Sequence, residues 1–162
     1  MTRKVQHSLL TKAKTNKNDE FYTQLSDIES ELQHYKSHFK NKVVYCNCDD
    51  ARISNFFKYF ALNFKKLGIK KLISACYRKQ EKNLFNYEKY ESGFFYEYIG
   101  AEEDKVNPNS TDIIYFKGDG DFRSAESIEL LKQSDIVVTN PPFSLFREHV
   151  AQLIKHDKKF CQ

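Results

Sequence analysis

The chain has 162 residues and a mass of 19.2 kDa, a size that fits one domain around a single core and leaves no room for two well-packed ones. Lys and Arg number 26 against 22 acids, and the net charge of +4 suits a polyanionic partner without demanding one. With 14 Phe and 10 Tyr but only 5 Gly and 3 Pro, the composition excludes collagen-like, low-complexity and wholly disordered classes, because so many rings have to be hidden from water.

Residues 1–18 are basic and poor in apolar surface, and read as a flexible arm. Ser26 with Glu29 three residues on has the form of a capping box, and Ile28, Leu32, Tyr35 and Phe39 recur at helical spacing, which predicts an amphipathic helix over about 26–38. KVVYCN at 42–47 is a short apolar run, predicted to be a buried strand that ends in the polar turn Asn47-Cys48-Asp49-Asp50. Ile53, Phe56, Phe57, Phe60, Ala61, Phe64 and Leu67 then trace one apolar helix face closed by Gly68. Ile69 to Cys76 reads as a second buried strand. The following stretch, 78–109, is polar, charged and rich in Tyr, with only FFYEYI strand-like, and reads as a peripheral insertion. Thr111 to Phe116 is a third core strand ending in Gly118-Asp119-Gly120-Asp121, followed by a short helix from Ser124 to Gln133. Asp135 to Thr139 is the fourth, ending in Asn140-Pro141-Pro142-Phe143, and a last helix from Ser144 places Phe146, Val150, Leu153 and Ile154 on one face. Strands alternating with helices predict an α/β fold with a mostly parallel sheet covered on both faces.

No apolar h-region stands at the N-terminus and no stretch approaches the roughly 20 apolar residues that span a bilayer, so a soluble, cytoplasmic chain with no membrane partner is expected. Four cysteines, Cys46, Cys48, Cys76 and Cys161, make no disulfide framework in that setting. The close pair in CNC has a single intervening residue, short of zinc-site spacing, and no His pair supplies further ligands; no metal is expected.

In open α/β sheets ligands bind beyond the carboxyl ends of the strands. The tails there are CNCDD, ACYR, GDGDF and NPPF. The last is chemically specific. Two successive prolines donate no hydrogen bond and hold φ fixed, which leaves the neighbouring carbonyls free and rigidly aimed. Asn140 adds a side-chain carbonyl and Phe143 a flat face, a set suited to an exocyclic amino group on a planar base.

TNPPF at 139–143 resembles the catalytic motif of amino-methyltransferases that act on DNA bases. DEFYTQ at 19–24, VVYCNCDD at 43–50, SNFFKYFALNF at 54–64, GDGDFRS at 118–124 and SDIVVTNPPFSLFRE at 134–148 are similar, in order and spacing, to the EcoRI modification methyltransferase family of adenine-specific enzymes. The resemblance implies a Rossmann-like, S-adenosylmethionine-dependent fold. The implied activity is site-specific methylation of adenine N6 in double-stranded DNA, of the restriction-modification type. A base inside a duplex is out of reach, so it would be flipped out. The adenine N6 lone pair is delocalised into the ring, and the family's remedy is to hold its two hydrogens with acceptors.

By this resemblance the acceptors are the Asn140 side chain and the Pro141 backbone carbonyl, with Pro142 completing the rigid turn and Phe143 stacking on the flipped base. For the cofactor, Tyr22 and Thr23 match the segment that closes over its methionine end, and Asp49 lies where its amino acid part would bind. Asp121 and Phe122 match a pair that contacts its adenine. Asp49 and Asp50 are alternatively caps for the helix that follows, and Asp119 a turn residue. Two departures from the family pattern are evident: CNCDDAR has no glycine, and CYRKQ lacks the acid that holds ribose hydroxyls, with Glu81 nearby.

The resemblance also implies a longer sheet and a later target-recognition region. The chain would then carry only the first four core strands, the fourth with an unpaired edge that a downstream polypeptide would cover. Methyl transfer by the chain alone is expected to be weak or absent. Two alternatives stand beside this: a non-catalytic remnant or half of a split enzyme that binds a partner chain or DNA, and a methyltransferase acting on RNA or a protein amide.

Overall fold

The computed structural model describes residues 24–78, 92–100, 108, 112–139 and 141–161. The N-terminal arm, Tyr22, Thr23, Glu81 and Asn140 lie outside the described residues.

The first helix, α1 (Leu25–Leu32), begins after Gln24, whose carbonyl accepts from the N–H groups of Asp27 and Ile28. No side chain caps it, so Ser26 sits within the first turn and the expected capping box does not form. The helix tightens into a 3-10 segment, Gln33–Phe39, and keeps Ile28, Leu32 and Phe39 buried. Strand β1 (Val43–Asn47) follows, buried along its whole length. The long apolar face expected over 53–67 divides into α2 (Asn55–Leu62) and α3 (Phe64–Leu67). The break is at Asn63, whose side-chain amide donates back to the Tyr59 carbonyl at 2.9 Å and competes with the backbone ladder. Strand β2 (Lys71–Cys76), β3 (Phe94–Tyr98) and β4 (Ile114–Tyr115) come next, then α4 (Ala125–Gln133), β5 (Ile136–Thr139), a 3-10 turn at Phe143–Leu145, α5 (Phe146–Lys155) and β6 (Lys159–Cys161).

These strands form one mixed sheet in the order β4-β3-β2-β1-β5-β6. β1 pairs in parallel with β2 and β5, and β5 with β6, whereas β3 runs antiparallel to both its neighbours. Alternate side chains of β1 serve the two faces. Val44 and Cys46 pack with α1, α2 and α3, while Val43 and Tyr45 pack with Leu130 and Leu131 of α4 and Leu153 of α5. Helices therefore cover both faces, as alternating strands and helices require.

Three expectations about the sheet change. FFYEYI, read as part of a peripheral insertion, supplies β3, a sheet strand paired with β2 from Leu72↔Tyr98 to Cys76↔Phe94. Its aromatic residues explain this: Phe94, Tyr96 and Tyr98 fill one face, ringed by Phe57 and Phe64. The segment read as a third core strand is instead the two-residue, exposed edge β4. The sheet has six strands among the described residues, and β6 pairs with β5, so the fourth predicted strand shows no open edge.

The last helix also turns a different face inward. His149 and Leu153 are buried, while Phe146 and Ile154 are exposed. His149 is fully enclosed; its Nε2 lies 3.3 Å from the Asn47 side-chain amide nitrogen, and its ring meets the edge of Phe122 at 5.1 Å between centroids. The Asn47 carbonyl oxygen already accepts from the Cys48 N–H, so the amide nitrogen donates and His149 Nε2 accepts. Burial pushes the His149 imidazole down to about 4 from an ordinary 6.5.

Two outcomes follow for stability. Phe60 is fully buried between Phe39 and Tyr59, so Phe60→Ala should cost about 3–5 kcal/mol in urea denaturation. The folded His149 titrates below its unfolded value, so the stability it contributes is present above about pH 6.5 and is lost as pH falls toward about 4. His149→Leu should flatten the stability-against-pH curve across that window.

Candidate functional site

β1, β2 and β5 are parallel and end at one edge of the sheet. β4 ends there too, because the chain reverses once into β3 and again into β4, bringing Tyr115 opposite Phe94 and Phe94 opposite Cys76. All four tails singled out from sequence therefore converge. They enclose a cleft of about 360 Å³ lined by Cys48, Asp49 and Asp50 from the first tail, Cys76, Tyr77 and Arg78 from the second, Asp121, Phe122 and Arg123 from the third, and Pro142 and Leu145 from the fourth, with Ile53 and Ser54 at the start of α2.

The first tail turns without glycine. Cys48 takes φ of 60°, a left-handed conformation unusual for a side-chain-bearing residue, held by its N–H donating to Asn47 Oδ1 at 2.9 Å. Asp49 is then tied to β2 from both sides of its peptide: its N–H donates to the Ala75 carbonyl at 2.7 Å, and its carbonyl accepts from Ser74 Oγ at 2.6 Å. Neither acid caps the following helix. Ser54 does so, accepting from the Phe57 N–H, while its hydroxyl donates to the Asp49 carboxylate. Asp50 is engaged by Arg52.

The third tail is pressed against the start of β3. A Cβ on Gly120 would stand 2.8 Å from the Cys76 carbonyl, and one on Gly93 only 2.2 Å from that of Asp119, so side chains at either place would push backbone apart. Arg78 N–H donates to the Asp119 carbonyl at 2.8 Å and closes this wall. Asp119 Oδ1 accepts from the Asp121 N–H at 3.0 Å and does not line the cleft; its role is the turn. Asp121 and Phe122 do line it, Phe122 with 4% of its surface exposed. In the fourth tail Pro141 is buried, Pro142 lines the cleft and Phe143 is 75% exposed.

Charge in the cleft is managed by pairing. Burial opposes ionisation of Asp50, but its hydrogen bonds and charge contact with Arg52 prevail and hold it below the usual carboxylate range. Arg123 does the same for Asp121, again against burial. Burial, reinforced by neighbouring acids, pushes the Cys48 and Cys76 thiols up to about 12, so they remain neutral and are poor nucleophiles. Among the described residues no group of three or more His, Cys, Asp or Glu could hold a metal ion, and no helix is long and apolar enough to cross a membrane.

A cleft of this volume with carboxylates at separate points and apolar surface from Phe122, Ile53 and Leu145 can hold a nucleoside-sized molecule bearing amino groups. Of the site residues read from sequence, the fold brings Asp49, Asp121, Phe122 and Pro142 to one cleft. Tyr77, Arg78, Ile53 and Leu145 were not singled out, although each stands within or just beyond a tail.

No solved structure gives a significant match. The Type II methyltransferase M.EcoRI of Escherichia coli is 59% identical over 160 residues, which cover 99% of this chain and 49% of that protein. Type II methyltransferases M.MpnI of Mycoplasma pneumoniae and M.MgeORF184P of Mycoplasma genitalium are 44% and 42% identical over 149 residues, 92% of this chain and 41% of each of those proteins. The chain spans about half the length, or less, of these curated relatives. Matched along residues 9–161, it belongs to the family described as adenine-specific methyltransferase EcoRI.

Proposed function

We propose that the chain carries the cofactor pocket and base-holding tetrad of a site-specific DNA adenine N6-methyltransferase of the restriction-modification type. Residues 19–162 form this part of a Rossmann-like catalytic domain, and 1–18 an arm. The observation that carries the reading is the convergence of four strand tails on one cleft, in a chain of this family.

The cleft's donor and acceptor set fits S-adenosylmethionine. Asp121 would accept from the adenine amino group with apolar contact from Phe122 and Ile53, Asp49 would serve the amino acid end, and by resemblance Tyr22 and Thr23 would serve the methionine end. When bound, S-adenosylmethionine supplies a sulfonium methyl group, already joined to a good leaving group. The protein's own work is then orientation and charge placement. Asn140 and the Pro141 carbonyl accept the two hydrogens of the adenine amino group and draw its lone pair out of the ring. Proline's fixed φ keeps the Pro141 and Pro142 peptides from rearranging, and the exposed Phe143 gives a flipped base a face to stack on.

A second reading is favoured by the chain's span of its relatives. On it the chain binds cofactor, and transfers methyl groups to duplex DNA only when joined by a further polypeptide matching the rest of their length.

Labelled methyl transfer from S-adenosylmethionine to adenine in duplex DNA tests both. The first reading expects incorporation that is weak for the chain alone, that Asn140→Ala abolishes and that Phe143→Ala weakens by about 5- to 100-fold, the worth of one stacked base. Incorporation only after adding that polypeptide supports the second reading, and incorporation into RNA or a protein amide in place of DNA would sink both. In calorimetry, Asp49→Asn should weaken cofactor binding by about tenfold or more.

A further inference from the structure

The pattern Asp-x-Arg occurs on two walls of the cleft, as Asp50-Ala51-Arg52 after β1 and Asp121-Phe122-Arg123 before α4, and it folds the same way both times. The Arg N–H donates to its Asp Oδ1 at 2.9 and 2.8 Å, and the Arg Nε to that same oxygen at 3.0 and 2.9 Å. One terminal nitrogen donates to Oδ2 at 2.8 and 2.7 Å. Each guanidinium lies over a ring, Arg52 over Phe94 at 4.5 Å and Arg123 over Phe122 at 5.4 Å. The clips differ in their outer contacts: Arg52 meets a ring on β3 and Arg123 the ring of its own clip, which lines the cleft. Arg123 Nη1 also donates to Glu148 on α5 at 2.9 Å, which anchors it to the helix that follows the NPPF tail.

We propose that Arg123 is a positioning residue that aims Asp121 at the six-position of a bound purine and so sets the site's preference for an amino group there. A carboxylate offers about four lone-pair sites. Arg123 fills three, two on Oδ1 and one on Oδ2, and leaves one acceptor site on Oδ2. Turning Asp121 would break three hydrogen bonds together, and moving Arg123 with it would also cost the ion pair with Glu148 and the contact with the Phe122 ring. The remaining site is an acceptor alone. It is satisfied by an exocyclic amino group and opposed by a carbonyl oxygen.

This rests on the cofactor reading above. The test is calorimetry on the 162-residue chain with S-adenosylhomocysteine and its 6-oxo analogue, S-inosylhomocysteine. The wild type is expected to prefer the amino compound by about tenfold or more, the value of a hydrogen bond to a charged group. Arg123→Gln should bring that ratio to about threefold or less, and Glu148→Gln to a value between, whereas Arg52→Gln should leave it unchanged. A ratio kept in Arg123→Gln while both affinities fall together overturns this proposal and leaves the cofactor reading standing; a wild-type ratio near one overturns it and removes the Asp121 contact to the amino group, while cofactor binding by the cleft stands. Binding of neither compound by the wild type overturns both.

Discussion

The site depends on one register, Asn47↔Thr139, at the carboxyl ends of β1 and β5. There Thr139 Oγ1 donates to the Asn47 carbonyl at 2.7 Å and the Asn47 side chain reaches His149, all three side chains being buried. A slip of one residue would turn every side chain of β5 to the opposite face. It would also separate the tail that carries Asp49 from the tail that carries NPPF. Because the groups in this lock are enclosed, each must find its partner inside the protein or forfeit its hydration without return. The lock joins what we read as the cofactor side of the cleft to what we read as the base side, and His149 extends it to Phe122.

Around this frame the cleft is walled by backbone contacts more than by long side chains. Gly93 and Gly120 let the start of β3 and the 117–121 loop touch, and Cys48 accepts a left-handed turn in place of a glycine in the first tail. Asp50 and Asp121 stay ionised because adjacent arginines hold them. These arginines arise two residues along the chain, so each carboxylate carries its counter-charge on its own loop and needs no partner from a distant element. That economy makes the charges of the walls a local property. The Arg123–Glu148 pair is the exception, crossing from the third tail to α5.

Much of the fold was legible in the chain. β1, β2, β5 and α4 stand where the apolar runs and their spacing place them, and α2 and α3 together cover the predicted apolar face, since a buried strand or an amphipathic helix writes its own period. The failures share a cause. FFYEYI looked peripheral because the residues on either side are polar, yet its rings find a sheet face that only the packed protein offers. Thr111 to Phe116 looked central because it is apolar, but among its described residues the sheet pairs Ile114 and Tyr115, at the outer rim. Ser26 and Glu29 had the letters of a cap without the backbone geometry, and α5 buries a histidine in place of Phe146 because Asn47, 102 residues earlier, supplies its partner.

By itself the sequence determined the alternation of strands and helices, the four polar tails and the NPPF turn, because each is a matter of neighbouring residues and their local conformations. Only the tertiary structure decided that β3 reverses the sheet, so that the GDGDF tail meets the other three. It also decided that Asp121 and Phe122 line the cleft while Asp119 serves the turn, and that His149 is buried against Asn47 and Phe122. Those outcomes depend on contacts between residues far apart in the chain, whose partners no local pattern records.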